Sequence, residues 1–107
     1  MSAAPIELAR IERAAAAIRS GVLRTPLLEL ELPDHPARVY LKLENLQPIG
    51  SFKLRGALSA LAELGDAALE AGVVTASAGN MAQGVAWAAR SRGVPCTVVM
   101  PEGAPRT

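Results

Sequence analysis

Lys53 is the residue best suited to covalent chemistry. It lies in Leu43-Glu44-Asn45-Leu46-Gln47-Pro48-Ile49-Gly50-Ser51-Phe52-Lys53-Leu54-Arg55-Gly56-Ala57, just after a Pro/Gly loop and in the first turn of an expected helix. The positive end of a helix dipole disfavours an ammonium there, and apolar neighbours disfavour it further. A lysine held toward its free amine is a nucleophile, suited to a Schiff base and to proton abstraction. The same residues also fit a solvated helix lysine behind a plain Gly50-Ser51 cap. A phosphate loop of the GxxxxGK[ST] type is absent.

The second segment with chemical potential is Thr75-Ala76-Ser77-Ala78-Gly79-Asn80-Met81-Ala82-Gln83-Gly84-Val85-Ala86, which reads as strand, tight turn and helix start. Backbone N–H groups at a helix start bind anions, and Ser77 and Asn80 add side-chain donors, so an amino-acid carboxylate fits. Equally, Asn80 with Gln83 three residues on has the form of a capping box that serves only the helix. Gly84 costs about 1 kcal/mol relative to Ala in mid-helix. It therefore marks a close approach, to another element or to a ligand. There is no GxGxxG dinucleotide fingerprint.

These segments need elements to hold them. Residues 7–19 read as an amphipathic helix, with Leu8, Ile11, Ala15 and Ile18 at helical spacing and Ser20-Gly21 as its stop. Thr25-Pro26 favours an extended entry, and Pro33-Asp34-His35-Pro36 is a turn. Val39 to Leu43 reads as a strand. The second helix is expected from Ser51 as N-cap, with Leu54, Leu58, Leu61 and Leu64 on one face and Gly65 at its end. One or two helical turns follow over residues 66–71. Residues 72–76 form a buried strand, residues 81–92 a third helix stopped by Gly93, and residues 94–100 a last strand. Helices alternating with short strands predict an α/β fold with βαβ units and a helix-flanked parallel sheet.

Composition narrows the function. The chain has 107 residues and a formal net charge of +1. Near-neutral charge without a basic stripe argues against nucleic acid as a partner. No apolar run reaches the roughly 18–20 residues that cross a bilayer, and residues 1–13 lack a signal-peptide core. The single cysteine, Cys96, offers no internal disulfide and no metal spacing, so no metal site is expected. A soluble cytoplasmic protein is the expectation. Cys96 and Trp87 are expected to pack, His35 to lie on the surface, and Glu44 to orient its loop.

Together the two segments resemble the fold-type II pyridoxal-phosphate enzymes, specifically the threonine/serine dehydratase (ammonia-lyase) group. Ile11 to Leu30, with Arg24-Thr25-Pro26-Leu27, is similar to that group's N-terminal helix and strand. The stretch from Leu43 to Ala57 is similar to its cofactor-lysine signature, and Ser77 to Ala86 to its substrate and cofactor loop. Val98-Val99-Met100-Pro101 matches a following strand. The resemblance implies that Lys53 holds pyridoxal 5'-phosphate as a Schiff base, with Phe52 packing beside the cofactor and Asn80 bonding its ring oxygen. It implies that Ser77, Asn80 and the N–H groups of Gly79 and Met81 receive the substrate carboxylate. The implied reaction removes the α-proton and β-hydroxyl of threonine or serine, giving a 2-oxo acid and ammonia.

Met81 stands where many relatives have His, and Ala78 where similar racemases have an acid/base serine; the missing hydroxyl favours elimination over racemisation. A Gly-rich phosphate loop is absent from residues 1–107. The resemblance therefore implies an N-terminal portion of a two-domain, homo-oligomeric enzyme. Residues 1–65 would begin the larger cofactor domain and residues 66–107 the smaller substrate domain, and this chain alone would be inactive. The alternatives are a serine racemase, a β-replacement or threonine synthase, and a non-catalytic amino-acid-binding module.

Overall fold

The β-branched run around Val73 forms β3 (Val73–Ala76), which pairs in parallel with β4 (Cys96–Val99) in the register Val73↔Cys96 to Ala76↔Val99. The connection between them is α3 (Asn80–Ser91), so the expected βαβ unit is present. The computed structural model describes residues 4–105. Before this unit come α1 (Leu8–Ile18), β1 (Leu27–Leu30), β2 (Val39–Lys42), a single 3-10 turn (Glu44–Leu46) and α2 (Lys53–Leu69).

Small side chains let the helices approach closely. Ala57, Leu61 and Leu69 of α2 meet Ala88 and Ala89 of α3 in the core, with Leu58, Val73, Val85, Val94 and Cys96 packed around them. Cys96 thus packs, as expected of it. Leu54, one residue after Lys53, is completely buried. Burying one such side chain contributes about 1.5–3 kcal/mol, so the lysine turn is anchored from beneath. Trp87 is only partly covered on α3, at 41% exposure, and His35 is exposed, its ring in a local turn with Ala37.

Besides Trp87, and besides β3, which is half-exposed rather than buried with Val74 open at its surface, the structure departs from the sequence expectations in four places. The sheet is two separate pairs, because β1 and β2 form an antiparallel ribbon, Leu27↔Lys42 to Leu30↔Val39, closed by the Pro33–Pro36 turn. The predicted stripe on α1 is only partly covered. Ile18 is buried, but Leu8 and Ile11 are more than half exposed, although Arg10 between them pairs with Glu63 of α2 at 3.6 Å. Gly65 does not end α2. It interrupts it with a left-handed φ of 74°, after which the helix resumes to Leu69. Ser51 is not the cap residue either: Phe52 is, while the Ser51 hydroxyl accepts the Lys53 N–H at 3.2 Å from one residue further back. No helix of the described residues is long and apolar enough to cross a membrane.

Candidate active site

Lys53 opens α2, and α3 lies across its backbone. A Cβ at Gly84 would stand 3.2 Å from the Lys53 carbonyl oxygen and 3.4 Å from the Ala57 Cβ. The mid-helix glycine therefore serves the approach of one element to another. It brings the start of α3 beside the lysine loop. The Lys53 Nζ lies 5.0 Å from the centroid of the Phe52 ring, within cation–π reach. Phe52 itself is 59% exposed, leaving an aromatic surface open beside the amine.

Phe52 and Asn80 share one open hollow of about 450 Å³, walled by Leu41, Asn45, Gly50 and Ser51. Lys53 directly follows Phe52 in the chain and does not itself line the hollow. The Asn80 side chain is exposed at the first residue of α3, with Gly79 in the cap position and no side-chain cap bond. With Gly79 as the cap, Asn80 and Gln83 are one residue out of step for a capping box, and the Gln83 N–H goes to the Gly79 carbonyl at 3.4 Å. The first N–H groups of α3, including those of Asn80 and Met81, have no partner inside the helix. Ser77 is half-buried, and its hydroxyl accepts the Gly79 N–H at 3.2 Å. Gly79 lies instead beside a second hollow of about 530 Å³, with Ala78, Met100 and Pro101. The structure thus groups Phe52 and Asn80 with the Lys53 turn and leaves Ser77, Gly79 and Met81 on the adjoining turn.

A polar network behind the lysine loop was only partly visible in the sequence. Glu44 accepts from the Arg55 guanidinium through one carboxylate oxygen. Its other oxygen accepts from Gln47 Nε2 at 2.7 Å and from the Thr25 hydroxyl at 3.3 Å. The Gln47 amide clasps Leu23 in both directions, accepting its N–H at 2.9 Å and donating to its carbonyl at 2.8 Å. Arg55 adds a bond to the same carbonyl at 3.1 Å, and Lys42 Nζ donates to the Thr25 carbonyl at 2.5 Å. Thr25, Gln47 and Ser51 are the buried polar residues of the described chain, and all three belong to this loop or its partner segment. The Arg55 hydrogen bond holds the Glu44 carboxyl below its ordinary 4.5, against the opposing effect of burial. Glu44 does orient its loop, as expected. Gln47, Arg55 and Thr25 had no assigned role; the three-residue step from Glu44 to Gln47 on a short turn was the one available signal.

The comparisons with known proteins agree with the resemblance. A catabolic L-threonine dehydratase of Staphylococcus aureus (strain USA300) is 46% identical over 104 residues, covering 94% of this chain and 30% of that protein. The chain therefore spans about 30% of the length of the curated relatives it matches. Among solved structures, a serine racemase from Dictyostelium discoideum matches with a TM-score of 0.86 at 40% identity, over 95% of this chain and 34% of that one. A threonine deaminase from Solanum lycopersicum, in its processed form, matches with a TM-score of 0.73 at 33% identity, over 97% of this chain and 31% of that one. The profile described as pyridoxal-phosphate dependent enzyme matches residues 18–107, taking in the lysine turn, the Asn80 turn and the polar network alike, and the chain belongs to that family.

Proposed function

We propose that this chain carries the cofactor lysine and the substrate turn of an enzyme that dehydrates and deaminates a small hydroxy-amino acid, threonine or serine, to a 2-oxo acid and ammonia. The observation that carries it is the position of Lys53. Its amine has no ion pair or hydrogen bond among the described residues and stands over an exposed aromatic ring beside the hollow that contains Asn80. An aldehyde-bearing planar ring fits this donor set: a primary amine without an ion pair or hydrogen bond among the described residues, an aromatic face and a carboxamide donor. Lys53 and Phe52 would hold pyridoxal phosphate, with Asn80 toward the ring.

When bound, that group supplies an electron sink for charge left at the substrate α-carbon. The chain supplies the rest. Lys53 Nζ takes the α-proton, and Ser77, Asn80 and the N–H groups of Gly79 and Met81 orient the carboxylate at the positive end of α3. The division into residues 1–65 and 66–107 belongs to the same proposal and is supported by the backbone break at Gly65. So do assembly into a homo-oligomer and a cytoplasmic location.

Racemases and threonine deaminases both share this fold. Ala78 favours the elimination reading, since a methyl group at that turn cannot relay a proton. Incubating the intact protein with pyridoxal phosphate and L-threonine or L-serine should yield 2-oxo acid and ammonia, and Lys53→Ala should abolish both. Racemised substrate without 2-oxo acid would replace this reaction with its alternative.

A further inference from the structure

We propose that Gln47 is a positioning residue for Lys53. Its clasp on Leu23, with Glu44 and Arg55, sets where the lysine amine can reach. The proposal rests on the role of Lys53 given above and goes beyond it, because nothing in that role requires a particular residue at position 47.

The geometry forms a continuous path. Gln47 is 3% exposed and uses its amide oxygen and nitrogen in bonds to Leu23 and Glu44. Its carbonyl accepts the Gly50 N–H at 2.7 Å, tying the clasp to the tight turn before the lysine. Buried Ser51 then holds the Lys53 N–H. From the other side, Arg55 bonds both Glu44 and the Leu23 carbonyl, so the first turn of α2 is joined to the same anchor. The clasp fixes the loop below Lys53, and α3 fixes the lysine backbone above it at Gly84. A fully satisfied buried network of this kind admits one arrangement, whereas one lost partner leaves several desolvated groups unpaired. A shift of about 1 Å in a reacting group costs about a hundredfold in rate, so a clasp acting on the loop matters without touching substrate.

The chain offers an internal control. It contains only two lysines, Lys42 and Lys53, and the Lys42 amine is tied to the Thr25 carbonyl. The test treats the full chain with pyridoxal phosphate and cyanoborohydride and measures the Lys53 to Lys42 adduct ratio by peptide mass spectrometry. Amide exchange of residues 48–53 and of β4 is followed in parallel. In Gln47→Leu, the ratio should fall about tenfold through loss of the Lys53 adduct with the Lys42 adduct unchanged, and exchange over residues 48–53 should rise about tenfold, with β4 unchanged.

Gln47→Glu, which keeps an acceptor for Leu23 but puts a second carboxylate beside Glu44, should behave similarly. Adding Glu44→Gln relieves the paired carboxylates but returns neither the donor to the Leu23 carbonyl nor the Glu44–Arg55 pair, so the ratio should stay low. A Gln47→Leu chain that is less stable yet keeps the wild-type ratio and loop exchange overturns the positioning role. If wild-type Lys53 is labelled no faster than Lys42, the cofactor role of Lys53 fails instead, and loop exchange alone then decides whether the clasp holds the loop.

Discussion

Gly56 and Gly84 each sit inside a helix, and the structure assigns opposite outcomes to the same substitution. A Cβ added at Gly56 meets nothing within 4 Å, whereas one at Gly84 lies 3.2 Å from the Lys53 carbonyl oxygen and 3.3 Å from its carbon. Each Gly→Ala change improves helix propensity by about 1 kcal/mol. At Gly56 nothing opposes that gain. At Gly84 the opposing atoms belong to the backbone of α2, which cannot rotate aside, and overpacking a close contact costs about 1–3 kcal/mol. The net expectation is a gain of about 1 kcal/mol for Gly56→Ala and a loss of about 1 kcal/mol for Gly84→Ala. One kcal/mol shifts Tm by about 4–8 °C in a domain of this size. Thermal unfolding followed by circular dichroism should therefore separate the two variants by roughly 10 °C. Gly84→Val should lower the midpoint further. If Gly84→Ala were as stable as Gly56→Ala, α3 would not rest on the lysine backbone, and the account of how Asn80 reaches the Lys53 turn would be wrong.

Glu44 gives a pH dependence. Its folded carboxyl titrates below the ordinary 4.5, chiefly through Arg55, so its stabilisation is complete above that value and is lost as pH falls through the lowered one. Glu44→Gln should cost about 1–3 kcal/mol at neutral pH, with the difference from wild type shrinking in acid; urea midpoints across that range measure it, and a constant difference would contradict the assignment. Leu54→Ala empties the site beneath the lysine turn and should cost about 2–5 kcal/mol by the same assay. Arg38→Ala breaks the bidentate pair with Glu29 on the β1–β2 ribbon. Both partners are solvent-exposed. The unfolding midpoint should therefore stay where it is.

What could be read from the sequence was what is encoded locally. The β3–α3–β4 unit follows from a β-branched run, a helical apolar pattern and Gly93, all within one stretch of chain, and each element appears within a residue or two of its expected limits. The exposed side of α1 and the separate β1–β2 ribbon were not readable. Periodicity reports that a face is apolar, not what lies against it.

The lysine signature shows the same division inside one segment. Lys53 declares itself by type and position. Gln47 and Arg55 looked like ordinary polar residues because their partners lie 24 and 11 residues away, at Leu23 and Glu44. Only the fold closes those separations. Yet a nucleophile is useful only if its backbone is held, and polar side chains buried in a chain with few of them must be doing the holding. On the proposed function, the residues around Lys53 therefore carry two kinds of information: Lys53 and Phe52 would supply the chemistry, and Glu44, Gln47, Ser51 and Arg55 the position from which it would be performed.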